Sequence, residues 1–275
     1  MDWVNGETMS IEYLAPSVNQ ICLQVQPQFI NHEEWIALSL REELFFEPLE
    51  FFLPPANADA EAFNRLREWY KNSGRVTSLH GAFIDVNPAS SDPAFSALSQ
   101  KRCHESCSIA KQLGAKQVVF HASAHPFLRG AYLDTWAGRC ADFYSDLAET
   151  YGLGIRIENS QDIDCTPLLK LMQRVQKSDV AVCLDIGHAH YSSEPMEKWF
   201  DVLGEYIQYL HLSDNMGRFD DHLPIGCGSI DWENVNNLWK SLGRNMPATL
   251  EVGGIAGVEE SLHFLRRSGC FGIEG

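Results

Sequence analysis

The chain has 275 residues, 45% of them hydrophobic, and a formal net charge of −16. Such a length can bury one large core, and a single α/β barrel runs to about 250 residues. The acidic balance disfavours a phosphate-backbone partner, and no stretch approaches the roughly 18 consecutive apolar residues of a membrane span.

The opening "MDWVNGETMSIEYLAP" is acidic and lacks the basic and apolar blocks of a secretory signal. Residues 1–16 read as an arm, and 17–275 as one barrel domain. The first strand is "ICLQV" (21–25), and the second is expected at "PLEFFL" (48–53). Phe63, Leu66 and Tyr70 then share one helical face before the strand "RVTSLH" (75–80). Asp92-Pro93 supplies an N-cap and a proline at the first helical position. That helix carries Ser106, Ile109, Ala110 and Leu113 on one stripe and ends at Gly114. The strand "KQVVFH" (116–121) follows, then a helix faced by Trp136, Cys140, Phe143 and Leu147. "GIRIEN" (154–159) precedes a helix opened by Thr166-Pro167 and faced by Leu168, Leu171, Met172 and Val175. "VAVCLD" (180–185) precedes the stripe Met196, Trp199, Phe200 and Leu203. "IQYLHL" (207–212) precedes Val235, Leu238, Trp239 and Leu242, and "ATLEV" (248–252) precedes Val258, Leu262 and Leu265.

Strand and helix thus alternate through eight strands, several apolar almost throughout, as parallel strands covered by helices are. The pattern predicts an α/β fold, a single (β/α)8 TIM barrel whose chemistry sits at the C-terminal ends of the strands. No GxGxxG follows the first strand, which argues against a dinucleotide fold. The eight cysteines contain no CxxC pair. Cys103 and Cys107, at i,i+4 spacing, read as core packing, and the chain is expected to be cytoplasmic and reduced.

The strand ends carry the chemistry. Strand three ends in His80 and strand four in His121. Strand five ends in Glu158, and strand six in Asp185 with His188 just beyond. Strand seven ends in His211, with Asp220 and His222 in the following loop, and strand eight ends in Glu251. The first two strands, in this reading, contribute none. In a barrel all these side chains face one mouth. So many carboxylates together are costly to bury without cations, which makes this a candidate metal site. Imidazole and carboxylate without thiolate suit Zn²⁺, Mn²⁺ or Fe²⁺. The ligands are too many for one ion and fit two or three sharing bridging carboxylates. His32, His104 and His263 fall on predicted helices and read as surface or packing residues. His125 and His190 lie near the mouth, as candidates for contacting a substrate or for supporting the ligands.

The motifs "LHGAFIDVNP", "LGAKQVVFH", "IENS", "LDIGHAH", "YLHLSDNMGRFDDHLPIGCGSIDW" and "LEV" resemble those of the xylose isomerase-like TIM barrels. That superfamily joins sugar isomerases and epimerases with endonuclease IV (AP endonuclease family 2). The resemblance to the epimerases implies one ion held by Glu158, Asp185, His211 and Glu251. Glu158 and Glu251 would then exchange a proton with carbon on opposite faces, His188 would bind a substrate oxygen, and Arg218 would hold enediolate charge. Arg218 stands one position off the usual place. The resemblance to endonuclease IV implies three zinc ions held by His80, His121, Glu158, Asp185, His188, His211, Asp220, His222 and Glu251. In that case Glu158 bridges two ions and orients a water.

Phe83 reads as a pocket wall. "GCG" around Cys227 replaces a turn that often carries glutamate in both branches, and is expected to alter the surroundings of the ligands. The leading expectation is a metal-dependent isomerase or epimerase acting on a small sugar-like substrate. The alternative is an endonuclease IV-like phosphodiester hydrolase, and a lesser one a non-catalytic metal- or ligand-binding barrel. Nucleic acid is disfavoured by charge and by short loops yet left open, as is assembly into a homo-oligomer.

Overall fold

The computed structural model describes residues 21–25, 41–45, 60–176 and 178–273. Eight parallel strands close a barrel in sequence order. They are β1 (Ile21–Val25), β2 (Glu42–Phe45), β3 (Val76–His80), β4 (Gln117–His121), β5 (Gly154–Glu158), β6 (Val180–Asp185), β7 (Ile207–Leu212) and β8 (Ala248–Leu250). Closure is made by β1, which pairs with both β2 and β8. The described helices are α1 (Ala60–Ser73), α2 (Pro93–Leu113), α3 (Gly130–Tyr151), α4 (Thr166–Met172), α5 (Ile186–Tyr191), α6 (Met196–Leu203), α7 (Trp232–Ser241) and α8 (Gly254–Ser268).

The second barrel strand corrects the sequence reading. The place between β1 and β3 is taken by "EELF", Glu42–Phe45, and the expected strand at 48–53 lies outside the described residues. The 1–16 arm and His32 lie outside them too. Helix ends follow the expected chemistry. The Asp92 carboxylate accepts from the N–H groups of Ala94 and Phe95 at 2.8 and 3.0 Å, a cap worth about 1 kcal/mol. Gly114 closes α2 in the left-handed region at φ 86°, where a Cβ would be strained.

Side chains alternate across each strand with period two, and this alternation builds the site. Val118, Ile155, Ile157, Val182, Leu184, Leu210 and Leu212 enter the main core, which includes helix residues such as Trp136, Leu147, Trp199 and Leu265. Cys103 and Cys107 are buried in the same core, as their spacing predicts. Val119, Cys183 and Tyr209 form a separate small cluster inside the barrel. Two residues further along those same strands stand His121, Asp185 and His211. The candidate ligands are therefore the layer above an apolar plug. Among the described residues, no helix is long and apolar enough to cross a membrane.

Candidate metal centre

Glu158, at the end of β5, is the hub. Its Oε2 lies 3.3 Å from His80 Nε2 and 3.6 Å from His121 Nε2. Its Oε1 lies 3.3 Å from His188 Nδ1 and 3.4 Å from His211 Nδ1. Two groups follow, each with ligand atoms within 4.8 Å of one another: His80, His121 and Glu158, and Glu158, Asp185, His211 and Glu251. The second group is buried throughout.

A third assembly sits at the rim. Asp220 Oδ2 lies 3.0 Å from both His188 Nε2 and His222 Nε2. The loop that carries Asp220 and His222 is held by Asp214. Its Oδ1 accepts from the N–H groups of Asn215 and Ile230 at 2.9 and 3.3 Å. Its Oδ2 accepts from the Gly226 N–H and the Trp232 indole at 2.9 and 2.8 Å. A Cβ on Gly228 would stand 2.2 Å from Asp214 Oδ1, so only glycine fits there. His222 adopts φ 47°, a left-handed conformation uncommon for a non-glycine residue.

The histidines are prepared as ligands in a repeated way. His80, His188 and His222 each direct Nδ1 at a backbone carbonyl, of Gly81, Asn159 and Glu251, at 3.0, 2.7 and 2.7 Å. An Nδ1–H donated there leaves the Nε2 lone pair facing the cluster. Asn159 joins the ends of β5 and β6 by donating to the Asp185 carbonyl and accepting the Asp185 N–H, at 2.9 and 2.8 Å. Asp185 Oδ1 in turn caps α5 by accepting the His188 N–H at 2.6 Å.

These residues fit a cation. Both oxygens of Glu158, Oδ2 of Asp185 and both ring nitrogens of His211 are buried without a well-aligned hydrogen bond. Orphaned buried polar atoms are costly, and several converging on one point are what a divalent ion satisfies. The charges strain against one another accordingly. Burial, with Glu158 and Glu251 adding to it against His188 and His211, pushes the Asp185 carboxyl up to about 7. Burial holds His121 down to about 4, which keeps its imidazole neutral. Carboxylate and imidazole donors without thiolate suit zinc, manganese or iron.

Of the other expected site residues, only Phe83 packs against these groups. Phe83 packs on His80 and His121, ring centroids 5.3 and 4.9 Å away, and so walls the site. Arg218 is exposed in the rim loop and forms no ion pair with the described ligands. His190 meets the Ser229 hydroxyl at 2.9 Å. His125 is exposed and lines a cleft of about 400 Å³, open mouth included, with Arg129, Asp162 and Thr166. His104 interacts with Tyr151 on the helical layer. Cys227 is exposed, with its thiol beside Glu260, so the "GCG" departure does not reach the ligands.

Two residues of the interior escaped the sequence reading, both on strands expected to contribute none. Gln24 of β1 donates to Glu251 Oε1. Glu43 of β2 is fully buried, and its Oε1 lies 3.1 Å from His211 Nε2. Gln24 has a signal in the sequence, a polar side chain in the otherwise apolar strand "ICLQV", whereas Glu43 shares "EELF" with Glu42 and has none.

Comparison with known proteins gives a consistent fold. The profile described as xylose isomerase-like TIM barrel matches residues 42–268. A probable endonuclease 4 of Akkermansia muciniphila is 27% identical over 249 residues, covering 79% of this chain and 86% of that one. The crystal structure of a D-tagatose 3-epimerase-like protein aligns with TM-score 0.75 at 22% identity, covering 90% of this chain and 96% of that chain. A Thermus thermophilus protein soaked with zinc chloride aligns with TM-score 0.72 at 22% identity, covering 90% of this chain and 97% of that chain.

Proposed function

Because this chain belongs to the xylose isomerase-like TIM barrel family, we propose that it is a divalent-metal-dependent enzyme of sugar isomerase or epimerase type. The observation that carries the reading is the pairing of Glu158 with Glu251. These buried carboxylates come from strands three places apart around the barrel, and both face His211 Nδ1, at 3.4 and 3.1 Å. Two carboxylates from different strands suit removal of a proton from one face of a carbon and its return on the other.

A divalent ion held by Glu158, Asp185, His211 and Glu251 supplies polarisation of a substrate carbonyl and hydroxyl. The chain's residues do the rest. One glutamate takes the proton beside the carbonyl and the other delivers one. The Asn159–Asp185 clamp holds the ends of β5 and β6 in register, so that Glu158 and Asp185 keep their aim. His188, with Nδ1–H committed to the Asn159 carbonyl, offers Nε2 to a substrate oxygen. Phe83 excludes water from the His80 and His121 side. The net charge of −16 and the deep ligands favour a small, uncharged or weakly charged polyhydroxylated substrate. Incubation with candidate ketoses in heavy water tests the reading. Deuterium is expected at the carbon beside the carbonyl, and turnover without such exchange would exclude the route.

A second reading has its own observation. His80 and His121 with Glu158, and His188, Asp220 and His222 at the rim, exceed what one-ion proton transfer needs. They suit a phosphodiester hydrolase of the endonuclease 4 kind, in which Glu158 orients the attacking water. Cleavage of a duplex with an abasic site, with no carbon exchange on any ketose, would reverse the ranking.

A further inference from the structure

Among the histidines of the centre, His211 is oriented in reverse. His80, His188 and His222 turn Nδ1 toward a backbone carbonyl and Nε2 inward. His211 turns Nδ1 toward Glu158 and Glu251, at 3.4 and 3.1 Å, and Nε2 toward a carboxylate, Glu43 Oε1, at 3.1 Å. Glu43 and His211 are both fully buried, on β2 and β7. Neither ring nitrogen of His211 nor Glu43 Oε1 has a well-aligned hydrogen bond to any other group among the described residues, so two orphaned buried atoms, 3.1 Å apart, are left to each other where a carbonyl serves the other histidines.

Glu43 is held by a directional chain of hydroxyls. Ser78 Oγ donates to Glu43 Oε2 at 2.7 Å. A hydroxyl has one proton, so in the 2.8 Å contact between Ser78 and Tyr209 the phenol donates. The same count makes Thr249 the donor to the Tyr209 oxygen, at 2.6 Å. Four strands therefore commit their polar groups toward one carboxylate: Thr249 of β8, Tyr209 of β7, Ser78 of β3 and Glu43 itself on β2. The chain crosses the barrel interior beneath the candidate ligands and ends at the edge of the His211 ring.

We propose that Glu43 is a positioning residue for the metal centre: it accepts the Nε2–H of His211, fixes the ring, and leaves the Nδ1 lone pair for the ion shared with Glu158, Asp185 and Glu251. A carboxylate in that place also makes the imidazole a stronger donor than a carbonyl does. The inference rests on the metal-centre reading, not on which reaction the centre performs. The hydroxyl chain locks Glu43 in turn, and Tyr209 tightens it from below without touching His211's proton.

Ion affinity of the full chain tests this. Protein stripped with a chelator is titrated with Zn²⁺ against a chromophoric chelator, for the wild type and for Glu43→Leu, Glu43→Gln and Tyr209→Phe. Glu43→Leu is expected to weaken one class of bound ion about 10–100-fold, the usual cost of losing such a partner. Glu43→Gln keeps an oxygen for the Nε2–H and is expected to recover most of that affinity. Tyr209→Phe is expected to lower the melting temperature and weaken affinity far less than Glu43→Leu, because it keeps the Ser78 donor to Glu43 and the ring beside His211. Unchanged affinity in Glu43→Leu, or an equal loss in Tyr209→Phe, overturns the assignment while leaving the metal centre intact. A wild-type chain that binds no ion overturns both. Nitrogen-15 histidine NMR of the zinc-loaded wild type, in which the ligand imidazoles are neutral, reads the same point without any variant. His211 is expected to carry its proton on Nε2 and His80, His188 and His222 theirs on Nδ1, and a His211 proton on Nδ1 contradicts the proposal.

Discussion

The deep and rim parts of the ligand array are built by different means. The deep group, Glu158, Asp185, His211 and Glu251, is buried and grows from strand ends whose direction the barrel fixes. Several of its polar atoms are left without a well-aligned hydrogen bond. The rim group, His188, Asp220 and His222, rests on a short helix and a loop, and its members satisfy one another through Asp220 Oδ2. Asp220 and His222 are about a third exposed. A site whose partners are missing needs an ion to be stable. A site whose partners are present can close without one. The deep group should therefore hold an ion tightly, and any ion bound at the rim should exchange more readily.

The largest effect is expected where the groups meet. Glu158→Gln removes the charge that both inner groups share, so it should lower ion content and cut turnover about 10²–10⁴-fold, the range for loss of an acid–base group. Metal analysis and the exchange rate in heavy water measure the two. A variant that keeps its ions and its rate would break the distinction between hub and periphery.

Asp214→Asn acts on the rim alone. An amide in place of the carboxylate turns a donor toward the Gly226 N–H or the Trp232 indole, and an unmet buried donor costs about 1–3 kcal/mol. The variant should melt lower and lose any ion bound at the rim while an ion in the deep group stays. Loss of the deep ion as well would mean that the loop and the strand ends are one unit.

The smallest effect is a pH dependence in ion-free protein. Burial disfavours the charged form of His222, but the Asp220 hydrogen bond and the Glu251 charge outweigh it and push the imidazole up to about 10. A folded-state value above the unfolded one gives stability that is full below about pH 6.5 and lost as pH rises through about 10. His222→Ala should therefore lower the melting temperature of stripped protein at pH 6 and change little above pH 10. A difference independent of pH would show that the Asp220 pairing adds nothing to the rim.

The fold was legible because its signals are local. Period-two strands, the Asp92-Pro93 start and the Gly114 stop act within a few residues, and the ligands fall in phase with Val119, Cys183 and Tyr209 on their own strands. The segment 41–53 was harder, because "REELFFEPLEFFL" holds two runs that suit a strand. The run with two glutamates looks like surface by the ordinary rule that charged side chains avoid the interior. It is instead the barrel strand, with Glu42 joined to Arg75 at 2.9 Å and Glu43 facing His211. Arg218 marks the opposite limit, since a position in a motif does not fix where an exposed loop side chain points. The reverse orientation of His211 could not be read at all, because it depends on a contact between β2 and β7 across the barrel.

Ion content of protein purified without added metal tests the central claim most directly, since Glu158 as hub requires that at least two ions share it. The account predicts two or more ions per chain. One ion would contradict the shared hub and leave only the one-ion isomerase reading standing, and none would contradict the metal centre itself.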